Sequence, residues 1–212
     1  MIVFGAELQN QDIENVVKFG AGLPQAKFIC LSDGANSRGA ADMGVLPNLL
    51  PGYEPDRQRW SEAWGVSIPE KPGMNLLQMV EAAQSELLPV LYVVGSDPVK
   101  DYAIDVGAFH ATYLIVEDLF LTSTAAAADL VLPSSSPYEK SGTFTNTCGD
   151  LQIIRKAADC MGPRSDLEII LELAGRMGAD VGHYRGNGPG VRGEFGDSRG
   201  AQGGEADRQA VG

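Results

Sequence analysis

Short apolar runs alternate with amphipathic stretches along most of this 212-residue chain. The segments "IVFGAE" (2–7), "AKFICLSD" (26–33), "PVLYVVGSD" (89–97), "TYLIVED" (112–118) and "DLVLPS" (129–134) are apolar on consecutive positions and close on glycine, acids or serine. That pattern predicts strands buried on both faces, as in a parallel sheet. Between them lie stretches of helical period. "NQDIENVVKFGAGL" carries Ile13, Val16, Val17 and Phe19 at that spacing, with Asn10 or Asp12 as the N-cap. "MNLLQMVEAAQSELL" (74–88) gathers Leu76, Leu77, Met79, Val80 and Ala83 near one face. "PVKDYAIDVGAF" reads as a helix opened by proline and "TSTAAAA" as a short helix. "RSDLEIILELAGRMG" (164–178) reads as a helix capped by Ser165, with Glu168 three residues on and Gly178 as its stop. Strands and helices in alternation predict a doubly wound α/β fold with a mainly parallel sheet and right-handed crossovers.

Two segments break this rhythm. Residues 34–73 are rich in Gly and Pro and hold both tryptophans, Trp60 and Trp64. Forty residues exceed an ordinary βα connection, so an interface or functional loop with a short helix around 58–64 is expected. From Gly182 onward there are ten glycines in thirty-one residues and almost no aliphatic side chains. Such a segment buries too little apolar surface to offset its chain entropy. The expected division is an α/β domain over 1–181 and a disordered tail over 182–212. The first residues read as a strand already inside a domain. We therefore expect a piece of a larger domain whose front lies on other polypeptide, and poor solubility or self-association in isolation.

Charge narrows the function classes. The formal net charge is −12, and the tail's four arginines balance its four acids, so the excess lies in the folded part. Nucleic acid and anionic membrane surfaces, which select Lys and Arg, are disfavoured as partners. Cys30, Cys148 and Cys160 show no Cys-x-x-Cys spacing and lie far in sequence from His110 and His183. No metal site is expected within the chain, and a reducing cytoplasmic setting suits so sparse a count. No signal peptide is recognisable, and the apolar runs fall short of a membrane span of about 20 residues.

In such a sheet, ligands sit beyond the carboxyl ends of the strands. After the run at 90–94 comes Gly95-Ser96-Asp97-Pro98: a tight turn, a cap from Ser96 or Asp97, and proline in the first helical turn. A helix start of this kind suits an anion, and equally is a well-made βα turn. After 112–116 come Glu117 and Asp118, suited to a ribose or a base edge, then Thr122 and Thr124 as caps. Neighbours on a strand face opposite ways, which weakens any acid–base pairing of the two carboxyls. The early loop offers Asp33, Asn36, Ser37 and Arg38, with the guanidinium able to meet a phosphate or a carboxylate. "EKSGTFTNTCGDLQ" (139–152) is dense in short hydrogen-bonding side chains. A Walker A loop, a nucleophile elbow, His-Glu-x-x-His and Gly-x-Gly-x-x-Gly are all absent from the sequence.

Four stretches in order, "ANSRGAADMGVLPNLLPGY" (35–53), "LYVVGSDP" (91–98), "VEDLFLTSTAAAADLVLP" (116–133) and "EKSGTFTNTCGDLQ" (139–152), resemble the molybdopterin oxidoreductase domain, in the form found in the iron–sulfur subunit of the peripheral arm of NADH-quinone oxidoreductase (respiratory complex I). The resemblance covers residues 2–178. It implies that strand-end loops once cradled a molybdopterin guanine dinucleotide. On that basis Gly95, Ser96, Asp97 and Pro98 match one turn, and Asp118, Thr122 and Thr124 match the next loop. Glu139, Gly142, Thr143, Asn146 and Gln152 match the last stretch. In the complex I subunit the domain is expected to be an empty scaffold beside an iron–sulfur chain carried elsewhere in the subunit. The resemblance thus implies no redox centre or catalytic residue in this chain, other peripheral-arm subunits and the preceding part of the subunit as partners, and a place at the cytoplasmic side of the membrane. One departure favours the empty reading: Asp150 stands where the family carries arginine, and a carboxylate repels a pyrophosphate. The alternative is a dinucleotide-binding part of a molybdenum enzyme such as a formate dehydrogenase.

Overall fold

A computed structural model describes residues 1–5, 7–8, 11–32, 34–159 and 164–179. Asn10, Asp33, Cys160, His183 and the glycine-rich segment 182–212 lie outside the described residues. The chain divides into two compact units, Met1–Leu167 and Glu168–Gly212.

The first unit opens with β1 (Ile2–Phe4), α1 (Gln11–Ala21) and β2 (Phe28–Cys30), with the two strands parallel and Val3 opposite Ile29. This is the predicted strand–helix–strand unit, with shorter strands than the apolar runs at 2–7 and 26–33. Asp12 lies inside the first turn of α1 and so is not its cap. Gly20 is buried, and a Cβ there would run into the Phe28 ring, so glycine lets the helix lie close on its strand.

The main sheet is β3 (Val90–Val94), β4 (Tyr113–Asp118) and β5 (Leu130–Pro133), all parallel in the order β3-β4-β5. Strand alternation puts Leu91, Val93, Leu114 and Val116 on one face. There they pack with Ala83 of α4 (Leu76–Gln84), with Phe109, and with Ala125 of α6 (Ser123–Ala126). α4 starts as its sequence directs: Asn75 Oδ1 accepts from Gln78 N–H, and Gln78 Oε1 accepts from Asn75 N–H. The helix expected over 98–109 is instead two pieces, α5 (Pro98–Asp101) and a 3-10 turn at Val106–Phe109. Ala103 at φ 51° breaks the path, and Asp105 accepts from Gly107 N–H at 2.9 Å to start the second piece.

Inside the 34–73 excursion the structure places α2 (Ser37–Asp42), which the sequence pattern did not predict, and α3 (Arg57–Trp64), which it did. Asp56 caps α3 through Gln58 and Arg59 N–H, and Gly65 at φ 66° ends it. Residues 139–152, expected as a loop, form an antiparallel hairpin in part: β6 (Gly142–Thr145) pairs with β7 (Leu151–Ile154). α7 (Asp166–Arg176) begins at the end of the first unit. In the second unit, Gly178 at φ 80° stops the helix as predicted. The class is α/β with mainly parallel strands, as the alternation implied.

Candidate functional site

The carboxyl ends of β3 and β4 carry the first group of predicted residues. Gly95 turns the chain at φ 60°, and its N–H donates to Glu117 O at 2.8 Å, so the turn extends the β3–β4 ladder. Asp97 differs from its predicted role. It occupies the cap position of α5 without a side-chain cap bond. Its carboxylate reaches across to α6, where Oδ1 accepts from Thr124 N–H at 2.9 Å and from the Thr124 hydroxyl at 2.6 Å, and Oδ2 accepts from Ser123 N–H at 3.1 Å. The Thr124 hydroxyl, and then these N–H groups, hold the Asp97 carboxyl below its usual range against the opposing pull of burial. Thr124, fully buried, is therefore a tie and not a cap: its Oγ1 also accepts from Val99 N–H at 3.1 Å. Thr122 does cap α6, accepting from Ala125 N–H. Pro98 is buried at the start of α5, which is one turn long and carries little dipole. Ser96 is exposed.

Glu117 and Asp118 face opposite ways, as neighbours on a strand must. Asp118 Oδ1 accepts from Phe120 N–H at 3.1 Å. Glu117 is fully buried, takes the Tyr92 hydroxyl on Oε2, and has a buried Oε1 without a partner. Burial foremost pushes the Glu117 carboxyl up, and burial together with Glu117 raises the Tyr92 hydroxyl.

Beside them the structure assembles a cluster that the sequence pattern does not single out. Asp166 accepts from the Ser134 hydroxyl at 2.7 Å and from Ser135 N–H at 2.9 Å, and pairs with Lys140. Burial opposes ionisation of Asp166, but Lys140, Ser135 and Ser134 together outweigh it and hold the carboxyl low. The available signal was the serine run 134–136 at a strand's carboxyl end. Its partner, thirty residues on, was not visible from spacing.

The third group is the hairpin. Asn146 Oδ1 accepts from Asp150 N–H at 2.9 Å and its amide donates to Asp150 Oδ2 at 3.1 Å, so Asp150 helps close the hairpin's own turn. Gly149 stands at φ 94°, with room for a Cβ taken by the Arg38 guanidinium at 2.8 Å. Arg38 donates to Thr147 O at 2.7 Å, and Asn36 Oδ1 accepts from Thr145 N–H at 2.9 Å, so the α2 end of the excursion is laced to β6. Gly142 and Thr143 in β6 and Gln152 in β7 occupy ladder positions opposite Ile154, Ile153 and Phe144. Glu139 Oε2 accepts from Ser136 N–H at 2.7 Å. The structure thus joins Asp97 with Thr124, and Asn146 with the hairpin turn, into separate closed networks. Among the described residues, no group of three or more His, Cys, Asp or Glu side chains is placed to hold a metal ion.

The molybdopterin oxidoreductase family model matches residues 1–176. A subunit of NADH-quinone oxidoreductase from Rhizobium meliloti (strain 1021) is 44% identical over 156 residues, 69% of this chain and 18% of that protein. The "F420-dependent formate dehydrogenase 1 subunit alpha" of Methanococcus maripaludis is 39% identical over 151 residues, 68% of this chain and 22% of that protein. The "NADPH-Fe(3+) oxidoreductase subunit alpha" of Geobacter sulfurreducens is 33% identical over 190 residues, 83% of this chain and 22% of that protein. The chain therefore spans about a fifth of the length of these relatives. With the family model matched over most of its length, the chain belongs to the molybdopterin oxidoreductase family.

Proposed function

We propose that this chain is a structural portion of the peripheral-arm, iron–sulfur-bearing subunit of an NADH-quinone oxidoreductase. It supports electron transfer from NADH to quinone by shaping the peripheral arm, and it carries no redox centre of its own. Its partners are the rest of that subunit, which bears the iron–sulfur clusters, and the neighbouring arm subunits. It sits at the cytoplasmic side of the membrane without inserting; among the described residues no helix is long and apolar enough to cross a bilayer. The domain is taken as 1–181, with 182–212 as an appended tail.

The observation that carries this reading is where the polar side chains point. A dinucleotide's diphosphate needs free N–H donors or cations. Here Asp97 takes the first N–H groups of α6, Arg38 is bonded to Thr147 O, Lys140 is paired with Asp166, and Asp150 supplies a carboxylate at the hairpin turn. These residues do not fit a diphosphate. The positions Gly95, Ser96, Asp97, Pro98, Asp118, Thr122, Thr124, Glu139, Gly142, Thr143, Asn146 and Gln152 then serve as a vestigial cradle. A second reading, a molybdopterin guanine dinucleotide-binding part of a formate dehydrogenase-like enzyme, draws on the relatives of that name. In it the Gly95–Pro98 turn contacts the cofactor.

The test is a segment exchange. This chain replaces the matching 156-residue region in the Rhizobium relative, and the assembled complex is assayed for NADH-quinone and for formate oxidation. Retained NADH-quinone activity is expected. Loss of it with gain of formate oxidation contradicts the proposal.

A further inference from the structure

The main sheet has two unequal faces. Helices α4, α5 and α6 and the 3-10 turn all contribute to the core built on Leu91, Val93, Leu114 and Val116. The opposite face carries Val90 and Val94 of β3, Tyr113 and Ile115 of β4, and Leu130 and Leu132 of β5, which the parallel register sets side by side. Near its carboxyl end Glu117 is sealed by Tyr92. Toward its other end Val90, Tyr113 and Leu130 are 52%, 49% and 41% exposed. All-parallel sheets are covered on both faces, and these strands have the apolar sequence of strands that are.

We infer that the Val90–Tyr113–Leu130 face is a docking surface for an amphipathic, neutral or basic helical segment of the polypeptide that makes up the rest of a family member. This rests on the proposed placement of the chain within a larger subunit. Three observations select that occupant. The chain's own residues 180–212 contain no Leu, Ile or Met and are poorly suited to cover an apolar face. A second copy, the self-association expected of the isolated chain, would bring together two molecules each of net charge −12, whose repulsion makes it a poorer occupant than a neutral or basic helix. The relatives carry this region as about a fifth of their length, so the covering helices have a source in the remaining four fifths.

The experiment co-expresses the full 212-residue chain with the Rhizobium relative's polypeptide from which the matched 156-residue region has been removed. Hydroxyl-radical footprinting of the wild-type pair reads Tyr113 directly, with Leu87, 77% exposed and off this face, as internal reference. The docked complex lowers Tyr113 labelling several-fold and leaves Leu87 unchanged. Tyr113→Glu weakens the complex by about tenfold or more, whereas Leu87→Glu does not. Circular dichroism of the free variants separates lost docking from lost folding. A complex in which Tyr113 labels as in the free chain, no complex at all, or Tyr113 protection in a homodimer overturns the inference. Pterin in the complex would remove the scaffold reading and leave the docking face intact.

Discussion

Replacing Thr124 by valine removes one hydroxyl from the centre of the strand-end network while keeping the side chain's volume. Thr124 is fully buried, and its Oγ1 is the acceptor for Val99 N–H at 3.1 Å and the donor to Asp97 Oδ1 at 2.6 Å. In Thr124→Val the Val99 N–H, at the start of α5, loses its acceptor, a loss of about 1–3 kcal/mol. Asp97 loses the hydroxyl but keeps Ser123 and Thr124 N–H as donors. Against a total stability of roughly 5–15 kcal/mol this is a large fraction. With a urea m-value of roughly 2 kcal/mol/M it lowers the unfolding midpoint by about 1 M. Far-UV circular dichroism against urea measures it. Thr124→Ser, which keeps the hydroxyl and loses a methyl, falls by only about 0.8 kcal/mol. The pH dependence follows from the lowered Asp97 carboxyl. Its stabilisation is present above the ordinary value of 3.8 and is lost as pH falls through the folded value. Since the Thr124 hydroxyl is the first cause of that lowering, the gap between wild type and Thr124→Val narrows in acid. A Thr124→Val midpoint equal to that of the wild type at neutral pH refutes the reasoning.

Three further outcomes follow from the same geometry. Gly149→Ala puts a methyl 2.8 Å from the Arg38 guanidinium on a backbone at φ 94°, so it destabilises by about 1–2 kcal/mol in denaturant unfolding. Glu117→Gln removes an ionisation that burial penalises. The penalty is absent below the ordinary carboxyl value of 4.5 and grows as pH rises toward the raised folded value, so stability measured against pH shows the variant gaining on the wild type as pH rises. Asp166→Ala leaves Lys140, Ser134 and Ser135 without their acceptor and destabilises by about 2–4 kcal/mol at neutral pH. The loss shrinks as pH falls through the folded value of Asp166, because its stabilisation is present only above it.

The element order was legible because the strands are unbroken apolar runs set between stretches of helical period. "VLYVV", "YLIVED" and "LVLP" each became a strand of the main sheet. Caps were legible where they are local: Thr122 and Gly178 do what their neighbours in sequence require. The failures share a cause. Asp97 suits the helix that follows it, yet its carboxylate bonds residues 26 and 27 positions on. Asp166 meets Ser134 and Ser135 more than thirty residues back. The 98–109 helix broke because Asp105 gave its own turn a better start. The hairpin was hidden because Thr143 and Thr145 look like loop residues until Leu151 and Ile153 pair opposite them. The residues named from sequence lie at strand and helix ends and in or beside a hairpin, and which of them pair came only from the fold.

The scaffold reading requires loops that are closed on themselves and hold no dinucleotide. Elemental analysis for molybdenum, with fluorescence detection of pterin and chromatography of released guanine nucleotides, checks this on protein purified together with its partner subunits. None of the three is expected in stoichiometric amount with this chain. One molybdopterin guanine dinucleotide per chain, lost on Asp97→Ala, would contradict it.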